Sequence, residues 1–337
     1  MVLKLKQNEF LKITTEIGKN ILFVQGAGGN CSFKTQNKLF IKASGFELKY
    51  AESKNIFVEV DYKKVLEGIN KKKKDPLINT WDKKYGLRPS IETSLHAIIP
   101  YKYVMHVHCI NSLSWLVQKN FVNKIIQKIK NEDVSIIPYY TPGIDLTNAI
   151  KKQNKDKIKK ILLLSNHGIV ISDDNLKSLL KNLESISINL SQKSHAMKKP
   201  SLSFMKDIAK GTIFKVTKYS ISHQIALSAY SIKFALGGHM FPDQVIFHPA
   251  GFKVIFSKDE IKDLSNSIKN QKFLPALIIP NHGILVPKSI SDKSEIIIQT
   301  LAMIINRIPS NAKINYLNKK EVQKLSNMES EIYRSKL

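Results

Sequence analysis

The sequence predicts an α/β fold, on three observations. Short apolar runs of strand length, such as "KLFIKAS", "YVMHVHCI" and "ILLLSNHGIVIS", alternate with segments whose apolar residues recur at helical spacing, such as "SDDNLKSLLKNLESISINLSQKSHAM". The polar "TQNK" between "NCSFKT" and "KLFIKAS" reads as a hairpin turn. Finally, "LLLSNHGIVIS" and its following helix are echoed by "LIIPNHGILVP" and its following helix, a partial internal repeat.

The elements follow in order. "MVLKLKQNEFLKITTEIGKN" reads as an amphipathic helix; its apolar residues are interrupted by Lys and Glu, so it has no continuous signal-peptide core. After the hairpin, "NIFVEVDYKKVLEGI" is a strand leading into a short helix, and "KKKKDPLIN" is a loop. "PSIETSLHAIIPY" is a helix with Pro89 and Ser90 near its start, where Pro and a capping hydroxyl are favoured. "YVMHVHCI" is a strand, "NSLSWLVQKN" a helix, "VSIIPYYTPG" a strand and turn, and "IDLTNAIKKQNKDKIKK" a basic helix. "ILLLSNHGIVIS" is a strand, a polar break and a strand, followed by the long helix. The pattern resets near "KKPSLSF" (198–204), and helices are expected around 205–236 before the second echo.

The chain has 337 residues, enough for one large or two modest domains, and is 43% hydrophobic. No run of about 18 apolar residues is present, so no membrane partner is expected, and the expected location is the cytoplasm. Two cysteines, Cys31 and Cys109, are too few for a disulfide framework or a Cys-rich metal site, so any metal falls to His, Asp and Glu. The net charge of +26 is carried by Lys spread along the chain, with few Arg and no interleaved aromatics. That reads as a solvated surface, not a nucleic-acid site, though it favours an anionic substrate.

Within "VMHVHC", His106 and His108 are two residues apart on a strand and share a face. The pair fits a metal as well as buried packing. In "LLLSNHGI", His167 ends an apolar strand, between Asn166 and Gly168, and is a third candidate. Three His ligands leave a fourth position open, as in catalytic zinc sites. Glu92, on the helix before the histidine strand, is four residues from His96 and shares its face; it is read as a proton carrier, a metal ligand or a capping carboxylate. His96 is read as packing or hydrogen-bonding. "GAGGNCS" and "ASG" could expose backbone N–H groups to an oxyanion.

In order, "GGNCS", "KASG", "PSIETSLH", "HVH" and "NHG" resemble the class II aldolase/adducin family over roughly residues 5–195, closest to the aldolase portion of bifunctional rhamnulose-1-phosphate aldolase/lactaldehyde dehydrogenase proteins. The resemblance implies a three-layer αβα class II aldolase-like domain with a central, mainly antiparallel sheet over 1–197. The 205–337 segment would then be a C-terminal α/β piece that partly repeats it. It implies Zn2+, or another divalent ion such as Mn2+ or Co2+, on His106, His108 and His167, and Glu92 as acid/base. Gly29, Asn30, Ser44, Gly45 and Ser90 would hold the polar end of the substrate. A tyrosine donates to the leaving aldehyde in relatives, and Tyr139 or Tyr140 is the candidate. Ile91 departs from the Pro-Ser-Ser-Glu of phosphate-using relatives and removes one hydroxyl.

The implied function is a lyase of carbohydrate metabolism, a homotetramer acting on a ketose or ketose phosphate of the rhamnulose/fuculose-1-phosphate type through a metal-stabilised enediolate. Epimerisation, decarboxylation or dehydration of a sugar acid or sugar phosphate could use the same site, and a non-catalytic adducin-like module is the other alternative. For the second motif, Asn281-His282-Gly283, no His-x-His strand precedes it, so a structural echo is expected in place of a second metal site.

Overall fold

The structure, a computed structural model, describes residues 2–129, 133–268, 271 and 273–336. The chain divides into two compact units: Met1–Leu116, Phe121–Ser191 and Met328–Leu337 form one, and Val117–Asn120 with Gln192–Asn327 the other.

The first unit begins with α1 (Val2–Lys19), then β1 (Asn30–Lys34), β2 (Leu39–Lys42), β3 (Phe57–Val60) and α2 (Tyr62–Asn70). Next come α3 (Thr93–Ile98), β4 (Tyr103–Val107), α4 (Ile110–Leu116), α5 (Val122–Lys128) and β5 (Val134–Ile137). α6 (Ile144–Gln153), β6 (Ile161–Leu164), β7 (Gly168–Asp173) and α7 (Leu176–Asn189) follow. The seven strands form one sheet in the order β3-β2-β1-β4-β7-β6-β5. β5 and β6 run parallel and the other neighbours antiparallel.

Strand alternation sorts the core into two layers. Met105, Val107, Ile161, Leu163, Ile169 and Ile171 face a cluster with Phe10 and Ile17 of α1 and Leu179 and Leu183 of α7. Val104, Leu162, Leu164 and Val170 face Leu95 of α3 and Leu146 and Ile150 of α6. Farther along that second face, Ile41 and Val60 pack on Val65 and Ile69 of α2. Helices therefore cover both faces of a mainly antiparallel sheet, the αβα arrangement expected.

Several boundaries differ from the expectation, among them α6, which ends at Gln153 and not at Lys160. α3 starts at Thr93, not at Pro89–Ser90. Pro89 instead forms a β-bridge with Ala43, and the Ser90 hydroxyl accepts from the Glu92 N–H, so the chain turns there before it coils. α7 ends at Asn189, short of His195.

The second unit holds α8 (Leu202–Ala209), β8 (Phe214–Val216), α9 (Ala229–Leu236), α10 (Pro242–Phe247) and β9 (Phe252–Val254). α11 (Lys258–Ile268), β10 (Ala276–Ile279), β11 (Gly283–Pro287), α12 (Asp292–Ile305) and α13 (Lys319–Ser326) complete it, and α14 (Glu329–Lys336) returns to the first unit. Its four strands lie in the order β8-β11-β10-β9, with β9 and β10 parallel and the rest antiparallel. This is the pattern of β4-β7-β6-β5. The match reaches single bonds: Asn166 N–H donates to Leu116 O at 3.1 Å, and Asn281 N–H to Ala226 O at 2.9 Å. The repeat is real, and it includes β8, a strand that falls where helices were expected.

No helix among the described residues is long and apolar enough to cross a membrane. Cys31 and Cys109 are free and buried, and burial pushes the Cys31 thiol up to about 12, which leaves it inert.

His248, 4% exposed, makes the second unit acid-sensitive. Burial, helped by nearby His239, holds its imidazole down to about 3 from an ordinary 6.5. Between those values the unfolded chain binds more protons than the folded one. The stability this group contributes is therefore complete above about pH 6.5 and is lost as pH falls toward 3. His248→Phe, which keeps a ring against Phe252, is expected to flatten this acid limb by on the order of 2–3 kcal/mol between pH 7 and pH 4. Urea unfolding at the two pH values measures it; an unchanged pH dependence would count against the assignment.

Candidate metal centre

β4 places the first two imidazoles. Val104 and His106 share the face toward α3 and α6, while Met105 and Val107 face the other way. His108 lies just past the end of β4, on the side of His106. His167 sits in the β6–β7 turn, which Asn166 (φ +58°) and Gly168 (φ +155°) form with left-handed backbone. The antiparallel pairing of Val107 with Ile169 sets this turn beside the histidine pair. Gly168 is required there: a Cβ would stand 2.5 Å from Val107 O and 3.3 Å from ring atoms of both His106 and His108.

The three imidazoles offer ligand nitrogens within 4.8 Å of one another, and all three side chains are buried. His106 Nδ1 lies 3.0 Å from Ile169 O and donates its proton there, which leaves Nε2 with a bare lone pair. That Nε2 is 3.2 Å from His108 Nε2. Two imidazole nitrogens on one tetrahedral zinc stand about 3.3 Å apart, given Zn–N bonds of about 2.0–2.1 Å. Donor chemistry, spacing and the carbonyl behind His106 fit a divalent ion of the zinc class.

Glu92 closes the cluster. It is 3% exposed, with Oε2 3.4 Å from His106 Nε2 and Oε1 3.6 Å from His167 Nε2. Burial alone would raise its pKa. The His106 and His167 imidazoles when protonated, together with the hydrogen bond from Asn30, outweigh that and hold it down to about 2. Asn30 Nδ2 donates to Glu92 Oε2 at 2.6 Å. The Asn30 carbonyl oxygen meets His96 Nε2 at 2.5 Å, and His96 Nδ1 meets Ser32 Oγ at 2.7 Å. Burial lowers His96 to about 3.

The glycine and serine loops gather beside Glu92. Gly29 (φ +62°) lies against β4, where a Cβ would come 2.7 Å from His106 O. Ser44 N–H donates to Arg88 O, next to the Ala43–Pro89 bridge, which brings Ser44 and Gly45 to the Ser90 turn. Buried Lys42 donates from Nζ to Ala27 O (3.0 Å) and Phe46 O (2.7 Å), tying the two loops together. Ile91 packs near Gly143, whose Cβ would meet its Cγ1 at 3.0 Å.

Other residues stand apart. Tyr140 is 43% exposed in the loop after β5 and takes no part in these hydrogen bonds. At the second motif, the registers place Val216 where His106 stands and Lys218 where His108 stands. Lys218 pairs with Asp292, and His282 stacks on Phe204 with ring centroids 4.1 Å apart. The repeat copies the turn and its histidine without counterparts of His106 and His108. Sequence reasoning placed Asn30 and Ser32 in the "GAGGNCS" loop but missed the bonding of Ser32 to His96 and of Asn30 to Glu92. The signal was present: Asn30 and Ser32 share one face of β1, as the two histidines share one side of β4.

The family model described as "Class II Aldolase and Adducin N-terminal domain" matches residues 10–190. The chain belongs to this family. Among curated proteins, it is 28% identical over 170 residues to a Bacillus subtilis protein named "Uncharacterized oxidoreductase YuxG", covering 46% of this chain and 24% of that one. The chain thus spans about a quarter of that relative. Among solved structures, it is similar to the N-terminal class II aldolase domain of a conserved Thermoplasma acidophilum protein, with 24% identity, 53% of this chain and 89% of that one covered, and a TM-score of 0.44. An L-fuculose 1-phosphate aldolase matches at 19% identity over 55% of this chain and 82% of that one, with a TM-score of 0.39.

Proposed function

We propose that the protein is a metal-dependent aldehyde-lyase that cleaves or forms a C–C bond in a ketose or ketose phosphate. The observation that carries this reading is three converging imidazoles with an ionised, buried carboxylate set against two of them. Structural packing does not require such a set, which disfavours a non-catalytic module. His106, His108 and His167 would hold a divalent ion, zinc or a similar metal. When bound, the ion supplies Lewis-acid polarisation of the substrate carbonyl. Glu92 takes the proton from the carbon beside the carbonyl in the condensation direction and returns it in cleavage. Ser90, Ser44 and Gly45 would orient the polar end of the sugar, on loops that Lys42 holds together. Ile91 offers no hydroxyl to that end. Tyr140 as proton donor to the leaving aldehyde, the tetramer and the cytoplasmic location belong to the same proposal.

Metal analysis of the purified protein, coupled to a screen for aldehyde release from ketoses and ketose phosphates, tests it. About one divalent ion per chain and chelator-sensitive cleavage are expected. Cleavage that survives full metal removal overturns the metal role, and epimerised or decarboxylated products in place of aldehyde move the reaction elsewhere on the same site. Glu92→Gln should lower kcat by about 10²–10⁴-fold with the metal retained; an unchanged kcat would remove Glu92 from proton transfer.

A further inference from the structure

The hydrogen bonds behind Glu92 can run in only one direction. The Asn30 amide turns its nitrogen toward Glu92 and donates from Nδ2 to Oε2 at 2.6 Å. The Asn30 carbonyl then faces His96 Nε2, which must carry the ring proton. His96 Nδ1 is left bare and accepts from the Ser32 hydroxyl at 2.7 Å. Asn30, Ser32 and His96 are all buried, so water does not compete for these bonds. A histidine kept for packing alone would not spend both ring nitrogens on directed partners.

We propose that His96 is a positioning residue. Through the Asn30 amide, it fixes the Glu92 carboxylate beside the His106–His167 pair. Ser32 in turn fixes the ring tautomer of His96. Asn30 thereby serves the carboxylate, in addition to any contact with substrate. This deepens the proposed function and rests on that reading. Without the His96 proton, the amide is free to rotate its oxygen toward Glu92 and lose the donor that holds it.

The test compares His96→Phe, His96→Gln, Asn30→Ala and the double variant His96→Phe/Asn30→Ala in the zinc-loaded 337-residue chain. His96→Phe should lower kcat roughly 10-fold or more, the scale of one hydrogen bond to a charged group, with KM and zinc content within about 2-fold. His96→Gln, which keeps an N–H donor, should recover most of that loss. On the Asn30→Ala background, His96→Phe should cost less than about 2-fold, because the proposed route is already cut. Equal losses on both backgrounds, or a His96→Gln protein as slow as His96→Phe, would overturn the proposal. Nitrogen NMR of the wild-type protein labelled at histidine gives a reading that needs neither activity nor a folded variant: His96 must be the Nε2-protonated tautomer, and Nδ1 protonation overturns it. If the wild-type protein cleaves no ketose while that tautomer holds, the functional reading fails and the positioning role stands.

Discussion

His106→Ala is expected to leave the centre without its ion and to lower the cleavage rate on the order of 10³-fold or more. Lewis-acid polarisation supplies several kcal/mol of transition-state stabilisation, and each 1.36 kcal/mol is about tenfold in rate. Of the three candidate ligands, His106 is the one whose loss should cost most. It is fully buried, its ring is fixed by the bond to Ile169 O, and its Nε2 lies closest to both His108 and Glu92. Alanine also removes the ring N–H that donates to the Ile169 carbonyl and leaves Glu92 facing one imidazole in place of two. Metal content, kcat and thermal unfolding with and without zinc separate these effects. The wild-type protein should melt at higher temperature when zinc is added, since an ion that binds only the folded state stabilises it, and the variant should not respond. A variant that keeps its metal and full activity would sink the three-histidine assignment.

How much of this was legible in the sequence depends on the range of each contact. Alternation is local, so the strands around Leu162–Leu164 and Ile169–Ile171 and the shared side of His106 and His108 could be read from neighbouring residues. The repeat was legible because Asn281-His282-Gly283 copies a turn that needs left-handed backbone at its first residue. β8 was not, because three residues, Phe-Lys-Val, carry too little alternation to stand out among helices. The start of α3 was misread because tertiary pairing of Pro89 with Ala43 overrides its local preference for a helix N-terminus. The bond from Asn30 to Glu92 spans 62 residues and depends on β1 pairing with β4, which no local pattern records. Tyr140 was placed by resemblance alone, and its exposed side chain takes no part in the cluster's hydrogen bonds.

The repeat also supplies an internal control for the second large effect, that of Gly168→Ala. Both turn glycines sit at similar backbone angles, φ +155° at Gly168 and φ +151° at Gly283, so alanine is strained at each by roughly 1–3 kcal/mol. Their surroundings differ. At Gly168 the new methyl meets the Val107 carbonyl at 2.5 Å, and backbone in the middle of a sheet cannot step aside. Relief must come from moving the turn, which carries His167 away from the other two imidazoles. At Gly283 the nearest atoms are Met205 Sδ at 2.4 Å and His223 Nδ1 at 2.6 Å, both on side chains. Gly168→Ala is therefore expected to cost about 3 kcal/mol or more and to weaken zinc binding by roughly 10–100-fold, the scale seen when the groups that orient a ligand are lost. Gly283→Ala should cost stability with no change in zinc affinity. Chelator competition, run well below both melting temperatures, distinguishes them. Equal weakening in the two variants would mean that the affinity loss reports general loosening of the fold, whereas a loss confined to Gly168→Ala ties the metal centre to the β6–β7 turn itself.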